Sequence, residues 1–138
     1  MLSRAIGGVA GPVVAGAIAV LARVINGHKL RPLSERERKD LEGVVPGLDL
    51  TLVQVAEECR LPLLPGFVAI TLGRSIYVRG RLAQHQTTLL AHELAHVRQF
   101  RERGWLGMTG TYASMWLEHG YARHPLEMEA RAAEFRVP

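Results

Sequence analysis

Thr88-Leu-Leu-Ala-His-Glu-Leu-Ala-His-Val-Arg-Gln-Phe100 decides how this chain is read. It contains His92, Glu93 and His96 as an HExxH pattern. On an α-helix, residues four apart lie one turn above each other on the same face. His92 and His96 therefore aim two imidazole nitrogens at one point, as a tetrahedral Zn²⁺ requires of two of its ligands. Glu93 is one step round the helix. It is badly placed as a third ligand but within reach of a water on the metal, the position of a general base. Leu89, Leu90, Leu94, Ala95, Val97 and Phe100 are apolar at helical spacing, so a broad face of this helix is buried. Buried His and Glu are costly unless paired or metal-bound. The helix is expected from about Gln84 to Arg103, with Gly104 as its stop after Arg101 and Arg103.

Upstream, Phe67-Val-Ala-Ile-Thr-Leu72, then Gly73-Arg74, then Ser75-Ile-Tyr-Val-Arg79 predicts a β-hairpin with a two-residue turn. Ser34, with Glu37 three residues on, is a capping box that opens a helix running to about Gly43. Val44 to Asp49 is rich in turn residues, and Leu50 to Val55 reads as a strand. Downstream, a shorter helix is expected from about Met108 to Glu118 and a last one from Pro125 to about Phe135, proline suiting a first helical position. The expected fold class is α+β, with a small β-hairpin or sheet packed on the HExxH helix and a hydrophobic helix at the N-terminus.

That N-terminal helix rests on residues 5–22, an uncharged run bracketed by Arg4 and Arg23. Its length reaches that of a membrane span, though Ala and Gly dominate and Pro12 lies inside. A membrane-embedded helix, a helix packed on this domain or on a partner, and a signal peptide all fit the run. Gly7, Gly11 and Ala15 form a small-residue stripe suited to close helix contact. The chain thus divides into 1–26, a membrane or partner anchor, and 33–138, the zincin-like domain. Lys29, Arg31, Arg36, Arg38 and Lys39 outweigh Arg4, which places a membrane-associated chain with its catalytic domain in the cytoplasm.

The 138 residues carry a net charge of +4, a pI near 9.8, 48% hydrophobic residues and a mean hydropathy of +0.07. This length favours one compact domain beyond the N-terminal segment. Arg and Glu are interleaved in solvated faces, so nucleic acid is not an expected partner; the basic balance alone prompts a third reading, a protease of regulators linked to nucleic acid. Cys59 is the single cysteine, which excludes an internal disulfide and reads as a small core residue.

Two histidines leave a catalytic zinc site short of one ligand. The candidates are Glu118, His119, His124, Glu127, Glu129 and Glu134. Glu127, in the first turn of the last helix, is the first choice; Glu129 points about 200° away from it at ~100° per residue, so only one of the two faces the metal. The alternative for both is a carboxylate favoured at a helix N-terminus. Tyr112, His119, Tyr121 and His124 are candidates to steady an oxyanion, Trp105 and Trp116 read as core anchors, and His85 as an exposed polar residue. The strand at Ser75 to Arg79 is a candidate edge for an extended peptide.

HELAHVRQ, the hairpin AITLGRSIYV before it and HPLEMEA after it resemble the short gluzincin-type metallopeptidase domain of many bacterial proteins. That domain is best known as the core domain of effectors linked to extracellular contractile injection systems. The resemblance runs from about Leu33 to Phe135 and implies that 33–138 folds as a zincin-like minimal metallopeptidase. It implies Zn²⁺ held by His92, His96 and Glu127, the last through an ExxA pattern ending at Ala130. It implies Glu93 as general base and a peptide or protein as substrate. Where the family often has Asp, which orients a zinc-bound His, this chain has Arg131. Two functions follow: a zinc metallopeptidase, membrane-tethered through residues 1–26, or a catalytically silent zincin-like accessory subunit of a larger membrane assembly.

Overall fold

The computed structural model describes residues 2–61, 66–84, 87–120 and 123–138, with backbone alone for 2–13, Gln84 and Trp116. Eight elements run in order: α1 (Leu2–Asn26), β1 (Arg31–Pro32), α2 (Glu35–Asp40), β2 (Gln54–Ala56), β3 (Ala69–Leu72), β4 (Ser75–Val78), α3 (Thr87–His119) and α4 (Pro125–Glu134). Short 3-10 turns sit at Gly27–Lys29, Leu50–Leu52 and Leu82–Gln84. The architecture is α+β, with a small mixed sheet of four strands in the order β1-β2-β4-β3.

The local signals act where the sequence places them. Ser34 Oγ accepts from the Glu37 N–H, and Glu37 Oε1 accepts from the Ser34 N–H, so the capping box of α2 is closed. Gly73 takes a φ of 68° in the two-residue turn between β3 and β4. Ile70 then pairs with Tyr77, and Thr71 with Ile76. Pro125 opens α4 with His124 as its cap. The strand expected at Leu50 to Val55 forms later. The Asp49 carboxylate accepts from the Thr51 N–H at 3.0 Å and draws Leu50–Leu52 into a 3-10 turn, so β2 begins only at Gln54.

Sheet pairing is partly unlike the expectation. The stretch between the two expected divisions, 1–26 and 33–138, contributes β1, which pairs antiparallel with β2 (Arg31 with Val55). β2 pairs in parallel with β4, which is thereby enclosed on both sides, and among the described residues β1 and β3 are the outer strands. The strand proposed to receive a peptide, Ser75 to Arg79, has its ladder positions filled by β2 and β3.

Alternate residues of the sheet face opposite ways, as pleating requires. Val55, Ile76 and Val78 join Leu90, Ala91, Leu94, Ala95 and Val97 of α3 and Ala130 and Ala133 of α4 in the main core. Ala56 and Tyr77 turn to the other face, where they meet Ala22 of α1, Cys59 and Leu61. Both faces are covered, which suits a strand, β4, with all four residues buried.

α1 packs along α3, and its C-terminal end is built into the domain. Asn26 is fully buried: its Nδ2 donates to the Arg60 carbonyl and its Oδ1 accepts from the Arg60 N–H, both at 2.9 Å. Of the readings open for this run, the described residues realise a helix packed on its own domain. Val14, Val20 and Val24 stay exposed along it. Among the described residues no helix is long and apolar enough to cross a membrane. The small-residue positions Gly7 and Gly11 lie where side chains are not described.

Candidate metal centre

The long helix does not stop at Gly104; it turns there. Gly104 adopts φ 72° and ψ 171°, a region open essentially to glycine alone, and the helix resumes at a new angle. The elbow carries Tyr112 back towards the motif. Phe100, Met108 and Leu126 pack together in a third cluster, with Trp105 and Tyr112 against it, and so fix α4 against both arms. His124 fastens the joint: its Nδ1 accepts from the Leu126 N–H at 3.2 Å, its Nε2–H donates to the Tyr112 carbonyl at 2.7 Å, and its ring lies 4.1 Å from that of Tyr112. Burial lowers its pKa, which keeps the imidazole in the neutral form this pair of bonds needs.

α4 then delivers Glu127 between the two motif histidines. Its Oε2 lies 3.0 Å from His92 Nε2 and its Oε1 3.1 Å from His96 Nε2. The ligand atoms of His92, His96 and Glu127 all lie within 4.8 Å of one another. Glu129 faces elsewhere and pairs with Arg98 at 2.9 Å. Tyr112 Oη donates to Glu127 Oε1 at 2.9 Å. Burial opposes the charged form of Glu127, but hydrogen bonds from His92, His96 and Tyr112 outweigh it and hold the carboxyl far below the usual range.

Each histidine is held from behind. His96 Nδ1 lies 2.8 Å from Gln99 Oε1. Gln99 Nε2 donates to the Leu126 carbonyl, so its oxygen is the acceptor and His96 Nδ1 carries the proton. His92 Nδ1 is likewise a donor, to Glu134 Oε1 at 3.0 Å. With both Nδ1 atoms protonated, two neutral rings would present Nε2 lone pairs to a carboxylate, acceptor against acceptor. A positive charge must sit among them. Without metal a proton supplies it: burial works to lower the His96 pKa, but Glu127 and Glu93 outweigh burial and raise it. A divalent cation with N and O preferences fits the same donor set.

Glu134 places a carboxylate behind His92, where position 131 offers an arginine. The carboxylate behind His92 comes seven residues after Glu127, two turns on and on the same face, instead of four. Gln99, three residues after His96, and Glu134 were both legible as same-face positions; neither was read as a partner of a metal ligand. Glu93 is buried, and its Oε2 accepts from Thr71 Oγ1 at 2.7 Å. Thr71 reaches it because it pairs with Ile76 and so shares the sheet face turned to α3. Among the other candidates, His119 is exposed and pairs with Glu118, Trp105 is half-buried against Phe100, and His85, Tyr121 and the side chain of Trp116 lie outside the described residues.

The model of the eCIS core domain matches residues 32–104, just over half of the chain. The chain belongs to the eCIS core domain family. Membership ties it to the extracellular contractile injection system, and so to work alongside the other proteins of a larger assembly. The eCIS core match takes in β2, β3 and β4, with Thr71, His92, Glu93 and His96, and ends at the Gly104 elbow. Tyr112, Glu127 and Glu134 lie beyond it, so their part in the site rests on geometry alone. No curated protein and no solved structure matches the chain.

Proposed function

We propose that this eCIS core protein is a zinc metallopeptidase, with Zn²⁺ held by His92, His96 and Glu127 and Glu93 as general base. The observation that carries the reading is the convergence of two Nε2 lone pairs and a carboxylate, with both Nδ1–H groups already engaged by Glu134 and Gln99. Zinc supplies an acidified water and a polarised carbonyl. The residues supply the rest. Glu93, next to the ligands without being one, takes the proton and passes it to the leaving amine. Thr71 holds one Glu93 oxygen and leaves the other for that work. An extended protein substrate would add to the open edge of β3, the strand that carries Thr71. The exposed Val14, Val20 and Val24 of α1 suit attachment to a membrane or to a membrane-bound partner, with the domain on the cytoplasmic side.

A second reading has its own support. Glu93, His96 and Glu127 are all buried, and the Glu93 carboxylate already has a partner in Thr71. A site so closed suits a catalytically silent subunit in which zinc ties α3 to α4 within a larger assembly. Zinc analysis combined with hydrolysis of an unstructured protein separates the two. Wild type should carry one Zn²⁺ and cut the substrate; Glu93→Gln should keep the metal and lose the cutting. A zinc-loaded wild type that leaves the substrate intact selects the silent subunit, and equal hydrolysis by Glu93→Gln removes the general-base role.

A further inference from the structure

We infer that Tyr112 is a positioning residue whose hydroxyl keeps Glu127 a one-oxygen ligand, so that the metal retains an open position. The inference rests on the metal site proposed above. A carboxylate can bind a cation through one oxygen or both, and the choice sets how many positions remain. A hydrolytic zinc site needs three protein donors and one free place. Glu127 has both oxygens at the centre, Oε2 on the His92 side and Oε1 on the His96 side. Nothing in its covalent structure prevents it from gripping with both. Tyr112 opposes it: its Oη donates to Oε1 at 2.9 Å and takes up one of that oxygen's two lone pairs, leaving it the weaker donor to a cation.

The tyrosine is built to hold that place. It stands on the arm of α3 beyond the Gly104 elbow, with its ring 6.4 Å from that of His96. The His124 ring packs against that of Tyr112 at 4.1 Å, tilted by 31°, and bonds its carbonyl while capping the helix that bears Glu127. One side chain therefore fixes donor and acceptor relative to each other. A tyrosine committed to Glu127 in this way is engaged with the ligand, where the sequence had suggested an oxyanion partner.

Cobalt tests this, because the visible absorption of Co²⁺ weakens as a four-coordinate site becomes five-coordinate. The full chain is loaded with Co²⁺ as wild type and as Tyr112→Phe. The expected result is equal cobalt content with a loss of band intensity in Tyr112→Phe. A second pair, Glu127→His with and without Tyr112→Phe, controls for packing, since an imidazole ligates through one atom whatever Tyr112 does. In that background Tyr112→Phe should leave the spectrum unchanged. Identical spectra for wild type and Tyr112→Phe overturn the inference, as does an equal change in both backgrounds, which would make Tyr112 a packing residue. A wild-type chain that takes up no Co²⁺ overturns the metal site and this inference with it.

Discussion

Replacing Glu134 by alanine should weaken zinc binding without weakening the fold. The carboxylate accepts from His92 Nδ1 at 3.0 Å, which fixes the ring so that Nε2 points at Glu127. Removing such a partner costs about 10–100-fold in metal affinity, or roughly 1.4–2.8 kcal/mol at ~1.4 kcal/mol per decade. The Glu134 side chain is 37% exposed, so water screens its charge and can replace its oxygen. The lower end applies: about tenfold for Glu134→Ala, and less for Glu134→Gln, which keeps an acceptor and loses the charge. Stability should hold, because Glu134 ends α4, where a negative charge meets the unfavourable end of the helix dipole. Competition with a chromogenic chelator reads the affinity, and thermal denaturation of the metal-free chain reads the fold. Glu129→Ala is the control, since that residue pairs with Arg98 on another side of the same helix. Unchanged zinc affinity in Glu134→Ala, or an equal loss in Glu129→Ala, would refute the role given to Glu134.

Two further outcomes follow from the fold. Gly104→Ala meets no atom within 4 Å of its new Cβ, so its cost is backbone strain alone, about 1–3 kcal/mol at φ 72°, ψ 171°; calorimetry should show a lower melting temperature, and a wild-type value would mean that the elbow is not held. Glu37→Gln should flatten the acid limb of the stability curve. Burial raises the Glu37 pKa, but the Arg31 hydrogen bond and the Ser34 cap outweigh it and leave the folded value below the ordinary 4.5. The stabilisation is therefore full above about pH 4.5 and is lost as pH falls through the folded value. Denaturant midpoints measured against pH check this, and equal acid slopes in both proteins would count against it.

What could be read from the sequence was local. The Ser34–Glu37 box, the Gly73-Arg74 turn, Pro125 at the head of α4 and the spacing of His92 and His96 each concern residues a few positions apart, where backbone geometry alone fixes who meets whom. What stayed hidden depends on tertiary placement. The pairing of Arg31 with Val55 and the parallel alignment of β2 and β4 leave no mark in either strand, so the wrong strand was given the open edge. Thr71 looked like an ordinary strand residue; only the pairing with Ile76 turns it towards Glu93. Glu134 was visible on the face of Glu127, but its distance from His92 depends on how α4 crosses α3. Gly104 was read correctly as a break and wrongly as an end, since a positive-φ glycine serves a helix stop and an elbow equally well.

The placement of the ligands on either side of that elbow bears on the order in which the chain folds. The sheet and the HExxH arm all precede Gly104, so a chain emerging from its N-terminus can assemble most of the main core before Glu127 exists. α4 comes last and completes that core with Ala130 and Ala133. Closing it brings together groups as distant in sequence as Arg136 and Val44, whose guanidinium–carbonyl contact spans 92 positions. The ion-binding geometry is thus the final thing to form. A cation held as proposed by His92, His96 and Glu127 would act as a latch: it would bind the closed state and not the open one, and so draw the last helix home.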